Sequence, residues 1–311
     1  MKTAPQTKLA AGQAWGGKIL LAGEYAVTHR PYALALALNQ WAGHWEKITT
    51  SPDPAWLKFG AWLANHDWPW LQLALWKQEY PQYHFVSPLP QGRGLGSSGA
   101  LCAAIYDRYK VPEGFSADEA ALREQLAALE NYFHGVSSGF DPLVSLRRRT
   151  CVMMNGHLAL LPENATLVLQ EQRPSAGQDS YFLFLWDSQI PRTTLGLMDF
   201  YQKAYQGQEA WIQELALAQE YLVIALKDFL CQETLAARPD LTSSWGQVSR
   251  LQARQMAPMI LPAVQPLWQG EGYQLKLCGK GGGGFYLGLA KRDADLRVLQ
   301  QQGKLWYLVR P

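Results

Sequence analysis

The sequence contains few cysteines, little net charge and no long apolar run. Four cysteines occur among 311 residues, far apart and in apolar or glycine-rich contexts: Cys102, Cys151, Cys231 and Cys278. Their spacing matches neither a metal site nor a disulfide framework, which predicts a reducing, cytoplasmic compartment.

A net charge of +2 excludes the strong field that nucleic acids or anionic membranes select, so we expect neither partner. The first seventeen residues lack the apolar core of a signal peptide. No stretch reaches the about 18 uninterrupted apolar residues that span a bilayer. With 48% hydrophobic and 17% charged residues, the chain has a globular composition and is long enough for two domains.

Glycine is concentrated in residues 89–100, which read L-P-Q-G-R-G-L-G-S-S-G-A. Glycines allow backbone N–H groups to approach an anion closely. Ser97 and Ser98 open a run to Tyr109 that predicts a helix. A glycine-rich turn before a helix N-terminus predicts a phosphate site, because free N–H donors and the positive dipole end point to the same place.

Other interpretations of this stretch are weaker. Gly94-x-Gly96-x-x-Gly99 fits a dinucleotide fingerprint, but that motif needs a following strand, whereas Pro112 and a second predicted helix come next. No Gly-Lys-Ser/Thr ends the loop as in an ATP P-loop. A tight turn before a core helix remains an alternative.

Periodicity and turn signals predict the other elements. Predicted strands are 18–22, 32–38, 41–49, 83–86, 181–186, 273–278, 285–289 and 305–309, with a hairpin of 151–154 and 157–161 around Asn155-Gly156. Predicted helices are 99–109, 208–230 and 245–257. A further helix is predicted to begin at a capping box at Ser116 and to end near His134. The polar stretch 171–178 predicts a domain boundary near residue 175.

Two segments hold residues that core packing does not require. Lys18 begins a strand predicted to be buried, where a lysine is costly unless it is paired or faces a cleft. The alternative is a strand-end lysine that reaches solvent. The four glycines at 281–284 indicate close backbone approach to a ligand or another loop, with a flexible hairpin tip as the alternative.

The segment 130–141 carries two carboxylates. Glu130 closes a predicted helix, where the dipole disfavours a carboxylate unless a cation lies beside it. Asp141 follows Ser137-Ser138-Gly139 in a predicted turn, and an aspartate that bonds its own backbone is the alternative. His134 alone is more typical of a helix end than of a catalyst.

These segments supply the parts of phosphoryl transfer: donors around phosphate oxygens, a divalent cation on oxygen ligands and a group that takes the acceptor's proton. Ser98 and Glu130 offer the hard oxygen ligands that Mg²⁺ prefers. Asp141 is the candidate base. Lys18 is a cation that polarises the acceptor oxygen and keeps Asp141 ionised.

The chain resembles the GHMP small-molecule kinases, a family that includes galactokinase, homoserine kinase, mevalonate kinase and phosphomevalonate kinase. Three motifs carry the likeness: 17–24 (GKILLAGE), 90–98 (PQGRGLGSS) and 276–284 (KLCGKGGGG). The resemblance implies a two-domain α+β fold, each domain a mostly antiparallel sheet packed with helices, with the active site in the cleft between them. It assigns 1–175 to an ATP-binding catalytic domain and 176–311 to a C-terminal GHMP domain.

The resemblance also implies ATP and Mg²⁺ as cofactors and assigns site residues. The residues implied for ATP are Gly92, Gly94, Leu95, Gly96, Ser97, Ser98, Gly281, Gly282 and Gly283. The H-G-x-x-S-G-x-D sequence at 134–141 is most similar to mevalonate kinases. It implies Asp141 as catalytic base with Lys18 as its partner, and Ser98 and Glu130 on Mg²⁺. Glu24, His134 and Ser138 are implied on the substrate side.

Some positions depart from the family pattern. Glu24 is followed by Tyr25, where mevalonate kinases usually have histidine and phosphomevalonate kinases tyrosine. Arg93 and Lys280 replace smaller residues, and they either add cations near the phosphates or fill space differently.

We therefore expect ATP-dependent phosphorylation of a small hydroxy acid, mevalonate first, within isoprenoid precursor synthesis. The alternatives are a phosphomevalonate or sugar kinase, and a nucleotide-binding sensor without catalysis. The tryptophan-rich segment 52–82 has two alternative interpretations, a lid over the acceptor or a homodimer face.

Overall fold

The computed structural model describes residues 13–112, 118–174, 180–192, 206–231 and 239–311, with Leu197, Tyr201 and Lys203. The chain divides into two compact units. The first takes residues up to Gly17, Trp41–Leu89 and Gly96–Arg148, and the second takes Lys18–Gln40, Pro90–Leu95 and Arg149–Pro311. The predicted domain boundary near residue 175 lies outside the described residues.

The described residues form α-helices and mostly antiparallel strands, as the α+β prediction required. The strands are β1 (Trp15–Ala22), β2 (Ala33–Lys47), β3 (Tyr83–Val86), β4 (Cys151–Met154), β5 (His157–Leu160), β6 (Val168–Gln170), β7 (Tyr181–Asp187), β8 (Gln269–Gly270), β9 (Tyr273–Leu277), β10 (Phe285–Lys291) and β11 (Lys304–Val309). The helices are α1 (Pro54–Ala64), α2 (Leu73–Glu79), α3 (Ser97–Tyr109), α4 (Glu119–His134), α5 (Phe140–Arg147), α6 (Glu209–Cys231), α7 (Pro239–Gln255) and α8 (Arg297–Gln302). Among them, no helix combines the length and the apolar character that a membrane span needs.

The second unit contains a six-stranded sheet in the order β6-β11-β7-β10-β9-β8. Its central strand β7 is almost wholly apolar and buried, with Leu185 opposite Leu287 of β10. Because the strands pair antiparallel, β9 and β10 leave the loop 278–284 at one end of their hairpin. The predictions for 181–186, 273–278, 285–289 and 305–309 are confirmed; the short elements β6 and α8 were not predicted.

The other sheet has the order β1-β2-β4-β5, and β3 pairs with β2. The prediction of separate strands at 32–38 and 41–49 was wrong, because β2 continues through Asn39 and Gln40. The Gln40 side chain bonds the backbone N–H and C=O of Leu169, at 2.5 and 3.0 Å, which secures the polar middle of the strand. The β4–β5 hairpin is confirmed, with Asn155 and Gly156 at the positive φ that this tight turn requires.

Helix boundaries in the first unit differ from prediction at two places. Asp118, and not Ser116, caps α4: its carboxylate accepts the amides of Ala120 and Ala121. Ser116 lies outside the described residues. Asp141 was predicted in a turn, but it lies in the first turn of α5, because a proline next to it is tolerated before helical hydrogen bonding begins.

The tryptophan-rich segment forms α1, α2 and much of the apolar core of the first unit. Trp76 is fully buried and its indole N–H donates to the Gly60 carbonyl at 3.0 Å. Phe59 of α1 packs on Tyr132 and Phe133 of α4, with ring centroids about 5 Å apart. Core packing therefore accounts for these aromatic residues, and the lid and dimer interpretations stay predictions.

Candidate functional site

In the first unit, α3 begins at a glycine that provides no side-chain cap. Gly96 adopts the left-handed conformation (φ 76°) at the N-cap position. The first bond of the helix runs from the Ala100 N–H to the Gly96 carbonyl, at 2.9 Å. The amides before Ala100 therefore lack partners within the helix, and they lie at its positive dipole end.

Beside this helix start, a buried carboxylate is held by hydroxyl groups. Ser98 Oγ donates to Glu130 Oε1 at 3.0 Å, and Ser137 Oγ donates to Glu130 Oε2 at 2.5 Å. His134 Nε2 lies 3.0 Å from Ser98 Oγ and 3.9 Å from Glu130 Oε1. Glu130 is 3% exposed, so these contacts orient an ionisable group with little access to water.

Ser137 is a site residue that sequence reasoning missed. Its backbone N–H donates to Asn131 Oδ1 at 2.7 Å, and its hydroxyl accepts the Gly139 N–H at 3.0 Å. Gly139 caps α5, so Ser137 connects the carboxylate of Glu130 to the start of the helix that carries Asp141. The Ser-Ser-Gly sequence signalled a turn here, but not the second hydroxyl on Glu130.

Asp141 belongs to the same unit as Ser98 and Glu130, and α5 packs tightly on the start of α3. A Cβ added to Gly99 would lie 2.9 Å from the Asp141 carbonyl carbon and 3.1 Å from its Cβ. Only a glycine allows this approach of the two backbones.

In the second unit, the loop 278–284 packs on the residues that precede α3 in sequence. Arg192 lies between them: its Nε donates to the Gly281 carbonyl at 2.8 Å, and its Nη2 to the Cys278 carbonyl at 3.1 Å. A Cβ on Gly94 would lie 2.2 Å from Arg192 Nη1, and a Cβ on Gly284 would lie 2.7 Å from the Arg93 carbonyl oxygen. Close backbone approach explains these glycines.

The residues that depart from the family pattern have specific partners in this unit. Arg93 Nη1 is 2.6 Å from Asp187 Oδ1, at the end of β7. The carbonyl of Lys280 accepts the Tyr25 hydroxyl at 2.6 Å. Arg93 therefore secures its loop to the sheet through an ion pair, and Tyr25 bonds the third motif.

Lys18 and Glu24 lie in the second unit and are both buried. The Lys18 backbone N–H donates to the Leu95 carbonyl at 2.8 Å. Glu24 Oε1 pairs with Lys276 Nζ at 2.5 Å, and Glu24 Oε2 accepts from Gln219 Nε2 at 3.0 Å. Both oxygens of Glu24 are thus bonded inside the protein.

A buried thiol lies among the cations of this region. Burial raises the pKa of Cys278, and the nearby Lys18, Lys276 and Arg192 oppose that rise. The thiol therefore stays protonated at neutral pH, since the rise exceeds what the cations offset.

Residues 72–148 match the family model described as the GHMP kinases N terminal domain. The fold matches mevalonate kinase from L. major in complex with R-mevalonate, with a TM-score of 0.62, 16% identity and coverage of 100% of this chain and 99% of the other. Residues 72–148 are thus similar to a GHMP kinase N-terminal domain, and the chain has the GHMP kinase fold.

Other solved structures have the GHMP kinase fold as well. Phosphomevalonate kinase from Streptococcus pneumoniae, in complex with phosphomevalonate and AMPPNP, matches with a TM-score of 0.60, 15% identity and coverage of 93% and 95% of the two chains. Galactokinase from Lactococcus lactis, complexed with galactose, matches with a TM-score of 0.53, 12% identity and coverage of 96% and 92%. No curated protein sequence matches this chain significantly. At these identities the likeness establishes the fold.

The predicted site residues fall in both units. In the first unit lie Gly96, Ser97, Ser98, Glu130, His134, Ser138 and Asp141; in the second lie Lys18, Glu24, Gly92, Gly94, Leu95, Gly281, Gly282 and Gly283. The first unit brings Ser98, Glu130 and His134 together, and Arg192 joins Gly94 to Gly281 in the second. The Ser138 hydroxyl accepts the Phe140 N–H at 3.3 Å. Their functional roles stay predictions.

The donor set around Glu130 fits a Mg²⁺ that arrives with nucleotide phosphates. In the described part of the chain, no three His, Cys, Asp or Glu side chains group as a self-sufficient metal site. Mg²⁺ in kinases usually takes one or two carboxylates and completes its shell with phosphate oxygens and water. The Glu130 carboxylate and the Ser98 hydroxyl supply such a partial set.

Proposed function

We propose that the protein transfers the γ-phosphoryl group of ATP to the hydroxyl group of a small hydroxy acid, with mevalonate as the acceptor. The observation that carries this proposal is the grouping of Ser98 and Glu130 at the start of α3, with α5 and Asp141 packed against the same helix start. The match of residues 72–148 to the GHMP kinases N terminal domain supports a kinase. The L. major relative, which has the same fold, binds R-mevalonate.

Asp141 is the proposed base. It takes the proton of the acceptor hydroxyl as that oxygen attacks the γ-phosphorus and the bond to the ADP oxygen breaks. Lys18 is proposed as the cation that polarises the acceptor oxygen. Ser98 and Glu130 would hold Mg²⁺, which when bound neutralises charge on the phosphate oxygens. The amides at the start of α3 bind phosphate oxygens in this proposal.

His134 and Ser138 are proposed on the substrate side. His134 lies against Ser98, which supports a place near the transferred group. The internal bonds of Glu24 favour positioning over direct contact with substrate. Gly92, Gly94, Leu95, Gly96, Ser97 and the glycines 281–283 stay proposed for ATP.

Phosphomevalonate is the second candidate acceptor. The Glu24-Tyr25 pair, more typical of phosphomevalonate kinases, favours it. The S. pneumoniae relative binds phosphomevalonate and AMPPNP.

An acceptor panel tests the proposal directly. Purified protein with ATP and Mg²⁺ is given mevalonate, phosphomevalonate, galactose or homoserine, and ADP release is coupled to a dehydrogenase. We expect release with mevalonate well above the rate without acceptor. Release with phosphomevalonate alone would select the second candidate. No release with any acceptor, together with measurable ATP binding, would indicate a nucleotide sensor instead.

A further inference from the structure

Tyr25 holds a backbone conformation that side-chain-bearing residues rarely adopt. Its φ is 57°, yet it is 6% exposed and lies directly after Glu24. Such a conformation costs free energy in any non-glycine residue and persists only where surrounding contacts maintain it. The Tyr25 ring packs on Tyr201, with centroids 4.6 Å apart, and its hydroxyl donates to the Lys280 carbonyl at 2.6 Å.

The neighbouring residue makes a second connection to the same part of the chain. Glu24 pairs with Lys276, at the end of β9, where the backbone enters the loop 278–284. Gln219 of α6 bonds both Glu24 Oε2 and the Gly23 N–H, at 3.0 Å each. Glu24, the last residue of the first motif, and Tyr25, which follows it, therefore contact two points of the third motif, four residues apart.

The loop 278–284 needs such connections because its glycines give the backbone unusual conformational freedom. All five of its glycines adopt positive φ: Gly279, Gly281, Gly282, Gly283 and Gly284. Glycine loses more conformational entropy on ordering than any other residue. The Gly282 and Gly284 amides are bonded to the carbonyls of Met259 and Ile190, at 2.8 and 2.9 Å. The bond from Tyr25 secures the preceding part of the loop, at Lys280.

We propose that Tyr25 and Glu24 are positioning residues that hold the loop 278–284 in the shape that receives the nucleotide phosphates. The inference rests on the proposed function, because that function gives the loop its nucleotide. It assigns the tyrosine after Glu24 to loop positioning and places neither residue in contact with the acceptor. The Tyr25 hydroxyl acts through the loop backbone, at the Lys280 carbonyl.

Tyr25→Phe tests the proposal, with Tyr32→Phe as a matched control. Tyr32 is also in the second unit, is 7% exposed, and donates its hydroxyl to Asn155 Oδ1 at 2.6 Å. Both variants lose one hydroxyl with a hydrogen bond of the same length, so we expect similar melting temperatures. They differ in whether that bond holds the third motif.

Amide hydrogen exchange in the nucleotide-free protein reports on the loop itself. We expect faster exchange across 278–284 in Tyr25→Phe and unchanged exchange in Tyr32→Phe. By calorimetry, we expect the Kd of AMPPNP to rise about fivefold in Tyr25→Phe alone, the factor for about 1 kcal/mol of one lost hydrogen bond. The KM for the acceptor should not change in either variant.

The two measurements separate the possible failures. Equal exchange in both variants would overturn the positioning role, whatever the nucleotide affinity does. Faster exchange in Tyr25→Phe with an unchanged Kd would overturn the connection to phosphate binding. If the wild-type protein binds no AMPPNP while Tyr25→Phe still exchanges faster, the proposed function fails and the loop contact stands.

Discussion

The ion pair between Glu24 and Lys276 allows a quantitative prediction, because both side chains are completely buried. Lys276→Met keeps most of the length and the apolar stem of the side chain. It removes the ammonium group, which pairs with Glu24, donates to the Leu277 carbonyl at 2.7 Å and lies 5.7 Å from the Trp245 ring centroid. Among the described residues, the Gln219 amide still bonds the Glu24 carboxylate. The variant therefore leaves Glu24 without its paired cation inside the second unit.

The expected cost follows from the energetics of buried charges. Breaking a buried ion pair by removing one partner typically costs about 3–5 kcal/mol, since an uncompensated charge stays in the interior. Replacing both charges is far less costly, because the desolvation penalty disappears with the attraction. We therefore expect Lys276→Met to lose about 3–5 kcal/mol and the double variant Glu24→Gln/Lys276→Met to regain most of that loss.

Urea unfolding at pH 7, followed by tryptophan fluorescence, measures both free energies. The side-chain amide that Glu24→Gln introduces can still bond Gln219, so the comparison changes charge more than packing. A loss below about 1 kcal/mol in Lys276→Met, the size of an ordinary single hydrogen bond, would refute the reasoning. A double variant as unstable as the single variant would refute it as well, because the stabilisation would then lie in contacts other than the charge pair.

Three further predictions concern single positions. Asp141→Asn should lower turnover by about a hundredfold or more in steady-state assays while the calorimetric ATP affinity stays unchanged; full turnover would remove Asp141 as the base. Gly99→Ala should destabilise the protein by about 1–3 kcal/mol in urea, since the clash with the Asp141 backbone outweighs alanine's helix propensity; equal stability would contradict that contact. A maleimide should label one thiol per folded chain, the exposed Cys231, and four thiols after unfolding. Burial raises the pKa of Cys102 and Cys278 and shields both thiols from the reagent. Rapid labelling of more than one thiol in the folded protein would contradict this prediction.

Local sequence signals predicted the elements whose formation depends on neighbouring residues. Asn155-Gly156 specified a hairpin because those two residues tolerate the positive φ that the turn needs. The cap of α4 was predicted at Ser116 but is Asp118, since both residue types cap helices and the two residues lie two positions apart. Helix α5 was not predicted, because the Ser-Ser-Gly sequence before Asp141 indicated a turn; the helix accommodates Pro142 because proline is accepted in a first turn.

Strand β2 illustrates the limit of local signals in the fold. The polar residues Asn39 and Gln40 indicated a break between two strands. The structure continues the strand because Gln40 bonds the Leu169 backbone, 129 residues away in sequence. No local pattern reports such a partner.

The candidate site also combines residues that the sequence identified with a residue that it did not. Ser98, Glu130 and Asp141 could be chosen from residue type and motif order, and the first unit brings them to the start of α3. Ser137 could not be chosen, since its function depends on the direction in which the turn after α4 points its hydroxyl. Nothing in the sequence indicated that it would meet Glu130.

By itself, the sequence determined the helices and strands with strong periodicity and the glycine-rich loops. The order of three motifs indicated the resemblance to the GHMP kinases, whose fold the chain has. Only the tertiary structure decided the partners of the ionisable and hydroxyl groups: Glu24 with Lys276, Tyr25 with Lys280 and Arg93 with Asp187, separated by 252, 255 and 94 positions. Backbone conformation is governed by residues a few positions apart, and sequence displays those directly. The environment of an ionisable group depends on the residues that tertiary packing places next to it. Those neighbours are defined by the folded structure.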